Sequence, residues 1–263
     1  MEIINSLQNE KYKDMLRLLQ KKQRETSGLF LVEGKKEIDF GTNSLYECLS
    51  IWATAEDRAE AEAMAERQQN VRIYIITSEM MGKLVYRDKT ENMIAVFKKK
   101  TCLLKELVLE SENEAIIIAS NIEKPGNIGS LFRVADASGV SAIVFTNQSA
   151  DVYNPNVIRN SVGTFLNSSF FIEDQAFLSK WLKLNNFKII SADPEIGKDY
   201  WDIDLKGRVA LVFGSEHEGI GQYWKDEATE LAKIPMLGRN DSLNVSVSAG
   251  VLCYERIRQL RNV

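Results

Sequence analysis

An α/β architecture built on a parallel sheet is what the residue pattern predicts, and three observations carry the prediction. Short β-branched and apolar runs alternate with longer helical patterns, which implies strands joined through covering helices. The alternation restarts more regularly after a polar connector at 102–113, so two units are expected, 1–102 and 103–263. The 263 residues are 44% hydrophobic and 27% charged, enough apolar material to bury a real core.

In the first unit, residues 10–23 carry Met15, Leu16, Leu18 and Leu19 at helical spacing. FLVEG (30–34) is a short strand and KKEIDFG (35–41) opens a helix. LYECLSIWA (45–53) is extended, AEDRAEAEAMAERQQ (55–69) helical, and VRIYIIT (71–77) a strand. SEMMGKLVY (78–86) begins with a serine suited to cap a helix, and NMIAVFKKK (92–100) closes the unit as a strand.

The second unit starts with AIIIAS (115–120), a fully apolar strand, followed by NIGSLFRVADASG (127–139), a helix stopped by Gly139. SAIVFTN (141–147), SSFFIE (168–173), FKIISAD (187–193), RVALVFGS (208–215) and AKIPML (232–237) continue as strands. Between them NPNVIRNSVGTF (154–165) and AFLSKWLKLNN (176–186) read as helices. SLNVSVSAG (242–250) alternates with the period of a strand, and VLCYERIRQLRNV (251–263) is an amphipathic terminal helix. Ligands of such sheets sit beyond the carboxyl ends of strands, which directs attention to the loops after Ser120, Phe145, Phe213 and Met236.

Composition narrows the function classes. No apolar run is long enough to span a bilayer and no charged-then-apolar leader opens the chain, so no membrane partner is expected. Cys48, Cys102 and Cys253 are odd in number and unpaired in spacing, which argues for a reducing cytoplasm and against disulfides or a structural zinc. With His217 as the single histidine, no metal cluster is expected. Net charge is −4, which alone argues against a basic nucleic-acid footprint. Residues 8–36 nevertheless hold eight Lys or Arg against four acids, and Lys98, Lys99 and Lys100 form a further run. From the charges alone, a solvated helix face is the preferred reading.

Three loops carry chemistry. In NIEKPGNIGSLFRVADASGV (121–140), Pro125 and Gly126 make a turn, Asn127 can cap the following helix, and Arg133 lies off its apolar stripe. Arg133 could equally pair with Asp136 on the surface. In GSEHEGIG (214–221), Gly214, Gly219 and Gly221 permit close backbone approach, and Glu216 sits at a strand end. His217 and Glu218 read as ordinary helix-start residues. In IPMLGRNDSLNVSVSAG (234–250), Ser246, Ser248, Ala249 and Gly250 are small enough for a segment packed closely against a neighbour.

Together these motifs resemble the SpoU branch of the SPOUT RNA methyltransferases. Asn127, Gly129 and Arg133 match its first motif; Gly214, Glu216 and Gly219 match the second; Ile234, Pro235 and Met236 with Ser242 to Val247 match the third. RNSVGTF (159–165) is similar to the family's small-residue helix. The first unit, through RETSGLFLVEGKKEI (24–38), resembles more weakly the ribosomal-protein-like RNA-binding domain of many members.

The resemblance implies a deep trefoil knot, formed by threading the C-terminal segment, and S-adenosylmethionine as cofactor. It implies cofactor contacts at Phe213, Gly214, Ile234, Met236 and Leu243, and a methyl acceptor in the ribose 2′-hydroxyl of structured RNA, ribosomal or transfer. Arg133, Asn127, Glu216, Ser242 and Asn244 are then the catalytic set. A guanidinium scarcely deprotonates, so Arg133 is expected to grip a phosphate and stabilise negative charge on the hydroxyl oxygen rather than act as base. A homodimer through the knot region is implied, with Val251, Leu252, Ile257 and Leu260 as an apolar stripe open to a partner. A fragment from Leu103 onward should retain cofactor binding. The alternatives are a non-catalytic RNA-binding protein that keeps the fold and an enzyme using another nucleotide cofactor. The latter is weakened by the lack of GxGxxG and of a P-loop.

Overall fold

The structure is a computed structural model describing residues 1–85, 92–100, 102–147, 151–216 and 218–261; His217 lies outside the described residues. In chain order the strands are β1 (Glu2–Ile4), β2 (Leu29–Glu33), β3 (Cys48–Ala53), β4 (Arg72–Ile76), β5 (Met93–Lys98) and β6 (Ala115–Ser120). They continue as β7 (Ala142–Thr146), β8 (Phe170–Glu173), β9 (Lys188–Ala192), β10 (Lys198–Asp199), β11 (Val209–Phe213) and β12 (Glu230–Lys233). The α-helices are α1 (Glu10–Arg17), α2 (Lys21–Ser27), α3 (Lys35–Thr42), α4 (Arg58–Ala65) and α5 (Ser78–Leu84). They continue as α6 (Pro125–Ser138), α7 (Pro155–Asn160), α8 (Gln175–Leu184), α9 (Gly221–Glu227) and α10 (Val245–Arg261).

Two compact bodies result: Met1–Thr101 with Asp151–Asn167, and Cys102–Ala150 with Ser168–Val263. Residues 151–167 therefore fold with the first body, although the sequence division at 102 would assign them to the second. The physical reason is burial. Tyr153 and Phe165 join an aromatic cluster with Phe30 and Tyr46, with ring centroids 4.9–6.1 Å apart. The Asp151 carboxylate meets the Arg24 guanidinium at 2.7 Å, and both side chains are almost wholly buried. Removing either partner would leave an uncompensated buried charge, a loss of about 3–5 kcal/mol.

The sheet of the first body runs β1-β4-β3-β5-β2, parallel among β1, β4 and β3 and antiparallel at β5. The single helix expected over 10–23 is two. Tight i-to-i+3 bonds at Leu18, Leu19 and Gln20 end α1, and the freed Leu18 carbonyl accepts from the buried Arg24 Nη1 at 2.7 Å. Helix α5 is capped by Thr77, not Ser78: the Thr77 hydroxyl accepts from the Met80 amide.

The second body holds a seven-stranded sheet in the order β10-β12-β9-β11-β6-β7-β8, every pairing parallel. This is the expected parallel sheet flanked by helices, with Ile116, Ile118, Val144, Ala210, Val212 and Trp224 in its core. From β6 the chain builds β7 and β8 on one side, while β9, β11 and β12 lie on the other. The carboxyl ends of β12, β9, β11 and β6 are consequently neighbours on one edge, where an open parallel sheet binds ligands.

Two expectations are corrected here. The last β9-paired strand is Glu230–Lys233, so IPML lies beyond it in the loop. Residues 245–250 are helical, not extended: Ser248 N–H bonds the Asn244 carbonyl at 3.0 Å and Ser246 N–H bonds the Asn244 side chain at 3.0 Å. Asparagine at the cap satisfies amides that would otherwise be orphaned, and this overrides the strand-like alternation. The small residues lie on the first turns of α10, which packs against α6.

Candidate functional site

Three loops, after β9, β11 and β12, converge at the carboxyl edge of the second sheet and enclose a cleft of about 450 Å³. Its lining includes Phe213, Gly214, Ile234, Met236 and Leu243, all five residues expected to hold the cofactor, together with Glu216 and Ser242. The volume lies within the range of about 300–1,000 Å³ usual for small-molecule sites.

The loop after β11 is built by its glycines. Ser215 and Gly219 exchange both backbone hydrogen bonds, at 3.1 and 3.0 Å, so the loop folds back on itself. A Cβ added to Gly214 would fall 1.8 Å from the Gly219 carbonyl oxygen and 2.2 Å from the Ile220 nitrogen. Gly214 is therefore demanded by the loop's own backbone. The close approach read from the sequence is thus to the loop's own Gly219 and Ile220 backbone. Gly219 and Gly221 adopt left-handed φ of +64° and +73°, where other residues are strained.

Polar side chains of the three motifs form one hydrogen-bonded chain. Asn244, capping α10, donates from Nδ2 to Asn127 Oδ1 at 3.0 Å. Asn127 in turn donates from Nδ2 to Glu216 Oε1 at 3.1 Å. Because Asn244 Oδ1 already accepts from the Ser246 amide and hydroxyl, the orientation of both amides is dictated along the chain. The second carboxylate oxygen of Glu216 is ion-paired with Lys124. Asn121, at a left-handed φ of 54° after β6, donates to Glu218 Oε2 at 3.1 Å. Lys124, Asn121, Asn127, Glu216 and Glu218 line a second hollow of about 250 Å³ beside the cleft.

Arg133 is not drawn into this network. It is exposed on α6, lines neither cavity, and among the described residues makes no ion pair with Asp136. Asn127 and Arg133 are six residues apart on one helix, which places them about 120° apart around its axis. Ser242 lines the cleft without joining the asparagine chain. The loop after Phe145 contributes no lining residue among those described.

Sequence reasoning missed Lys124, Asp193 and Lys225. Asp193 follows β9 and lines the cleft. Its carboxylate meets Lys225 Nζ at 2.7 Å and accepts from the Glu195 and Ile196 amides at 2.9 and 3.1 Å. Burial would raise its pKa, but Lys225 and the two amides outweigh burial and hold it below the ordinary carboxylate range. Lys225 is raised in turn by its bond with Asp193. The strand-end rule that singled out Phe213 would have found Asp193 had it been applied to β9. Burial pushes the Cys48 thiol up to about 12 and that of Cys253 to about 11, so neither is a thiolate at neutral pH.

Residues 114–254 match the SpoU rRNA methylase family model, and residues 9–95 match the MRM3-like substrate binding domain. The chain belongs to the SpoU rRNA methylase family. A crystal structure of an RNA 2′-O ribose methyltransferase is 32% identical to this chain, covers 100% of both chains and superposes with a TM-score of 0.84. An AdoMet-bound rRNA methyltransferase from Sinorhizobium meliloti superposes at 0.90 over 98% of each chain at 24% identity, a likeness of fold. The 23S rRNA (guanosine(2553)-2'-O)-methyltransferase RlmP of Bacillus subtilis is 25% identical over 97% of this chain and 98% of its own. Among the described residues no helix is long and apolar enough to cross a membrane.

Proposed function

We propose that this member of the SpoU family transfers a methyl group from S-adenosylmethionine to a ribose 2′-hydroxyl of ribosomal RNA. The observation that carries the reading is the joining of all three motifs: Asn244, Asn127 and Glu216 are hydrogen-bonded in series at the rim of a cleft lined by the five expected cofactor residues. The cleft fits the cofactor. It has the volume, an apolar side in Phe213, Ile234 and Met236, and backbone groups at Gly214, Ile234 and Leu243 for the adenosine edge. When bound, S-adenosylmethionine supplies an electrophilic methyl on a sulfonium.

The chain's own residues then have three tasks. Asn127 and Asn244 hold Glu216 and the acceptor ribose in register, so that the reacting groups meet already aligned. Glu216, partly exposed and facing both cavities, accepts the hydroxyl proton directly or through a water. Ser242 fixes the loop before α10. Arg133 stabilises the developing oxyanion and grips an adjacent phosphate. Its place outside the cleft supports a homodimer in which it completes a site with a second copy.

Support for the dimer comes from α10, though not from the stripe read in the sequence. Leu252 is buried, and Val251, Ile257 and Leu260 are partly covered; Val247 and Tyr254 are the apolar side chains left half exposed. The trefoil knot belongs to the same proposal and is supported by the small residues on the first turns of α10. The first body is read as the RNA-capturing unit, supported by the substrate-binding family model over 9–95. The reducing cytoplasm is read as the compartment, supported by three free cysteines. Incubation with methyl-labelled S-adenosylmethionine and ribosomal RNA tests the reading: label should be recovered in 2′-O-methyl nucleosides. Recovery in methylated bases, or none at all, would overturn it.

A further inference from the structure

The charge of the cofactor cleft carries one further inference, which rests on the methyl-transfer reading. The lining holds five carboxylates, on Asp193, Glu195, Glu216, Glu218 and Asp241, and Lys225 is the one cation among the described lining residues. Lys225 is paired with Asp193 at 2.7 Å, and Glu216 is paired with Lys124, which lies outside the cleft lining. Five carboxylates less these two pairs leave three, on Glu195, Glu218 and Asp241, with no ion pair among the described residues. Glu218 accepts from the uncharged Asn121 amide at 3.1 Å and so keeps its charge.

The three stand on separate segments: Glu195 after β9, Glu218 in the loop after β11, and Asp241 before α10. Arg239, two residues before Asp241, does not line the cleft. Each of the three is exposed, so a single one would hold a charged ligand only weakly. Set around one concave site, however, charges of one sign add their fields and favour a ligand of the opposite sign.

Charge is what separates cofactor from product. S-adenosylmethionine bears a sulfonium, and the ammonium and carboxylate of its amino-acid end cancel, so it is a cation. Methyl transfer forms a carbon–oxygen bond, breaks the carbon–sulfur bond, returns that electron pair to sulfur and releases the hydroxyl proton. The product, S-adenosylhomocysteine, keeps the rest of the molecule but has no net charge. We propose that Glu195, Glu218 and Asp241 make the cleft charge-selective: it holds the cationic cofactor more tightly than the neutral product, so the transfer itself loosens what must leave. The three act through their summed field, as specificity-determining groups.

The test titrates the full chain by calorimetry, without RNA, with S-adenosylmethionine, S-adenosylhomocysteine and sinefungin. Sinefungin carries an ammonium on carbon in place of the methylated sulfur, which separates charge from the space a methyl occupies. Three unit charges at about 8–10 Å, each felt weakly through water, should favour both cationic ligands over S-adenosylhomocysteine by about tenfold at low ionic strength. The preference should shrink as salt is raised, because exposed charges are screened. Glu195→Gln with Asp241→Asn removes two of the three charges, and neither side chain makes a hydrogen bond among the described residues. That double variant should cut the preference to about twofold by weakening the cationic ligands, with S-adenosylhomocysteine affinity and the thermal midpoint unchanged. Equal wild-type affinities for cofactor and product, or a tighter product, would overturn the inference alone. So would a preference that salt or the double variant leaves intact, or sinefungin binding as weakly as S-adenosylhomocysteine. Failure of all three ligands to bind would overturn the methyl-transfer reading and this inference with it.

Discussion

Gly214→Ala is the sharpest perturbation of the cleft, because a single methyl group meets backbone. The added Cβ would sit 1.8 Å from the Gly219 oxygen, 1.9 Å from its carbonyl carbon and 2.2 Å from the Ile220 nitrogen. No side chain can swing away to relieve such contacts, so the loop must open. Opening breaks the paired Ser215–Gly219 hydrogen bonds, each worth about 1 kcal/mol net. Closing the loop again for ligand would then cost about 2 kcal/mol from the bonds alone, and more with the residual clash. At about 1.4 kcal/mol per decade this is a loss of at least roughly thirtyfold in S-adenosylmethionine affinity. The sheet core beneath is untouched, so the thermal midpoint should move by only a few degrees. Calorimetric titration measures the affinity, and hydrogen exchange at the Ser215 and Gly219 amides reports the loop. Wild-type affinity with both amides still protected would refute the claim that this fold-back loop builds the cleft.

Arg133→Ala should lower turnover by about 10²–10³ while leaving cofactor affinity close to wild type, since the side chain lines neither cavity; kinetics beside calorimetry separate the two. Asp193 is held below the ordinary carboxylate range, so its stabilisation is complete above that range and is lost as pH falls through the lowered folded-state value. Asp193→Asn should accordingly flatten the acid limb of the stability–pH curve, followed by thermal melts from neutral pH downward. On the first body, Lys22 and Lys36 are exposed, whereas Lys35 is bound by Asp57 and Glu60 at 2.8 and 2.6 Å. Replacing Lys22 and Lys36 by alanine should weaken RNA binding and reduce the salt slope by roughly 1.5 units, at about 0.7–0.9 per phosphate contact, seen by filter binding at several salt concentrations. Lys35→Ala should instead lower the melting temperature with the slope intact.

Much of the second body was legible because its strands are uniformly apolar and its loops punctuated by glycine and proline: β6, β7, β9 and β11 lie within a residue or two of their expected positions. The start of α10 was not, since the cap at Asn244 is a side-chain event that periodicity does not register. The fate of 151–167 was hidden for a similar reason. Nothing local in DVYNPNV announces that Asp151 will neutralise Arg24, 127 residues away. That pairing also bears on the fragment beginning at Leu103, which is expected to retain cofactor binding. Such a fragment would carry Tyr153, Phe165 and Asp151 without the residues that bury them. At the site, residue types were readable but partners were not. Glu216 was visible as a carboxylate at a strand end, whereas its contact with Lys124, 92 positions earlier, depends on β6 and β11 lying side by side.

The central claim is the chemical position of the transferred methyl, and a map of ribose methylation tests it most directly. Ribosomal RNA from cells with and without the gene should differ by the loss of a discrete 2′-O-methyl site. Wild-type protein should restore that site, and the Arg133→Ala variant should not. An unchanged ribose map, or a loss confined to base methylation, would contradict the assignment.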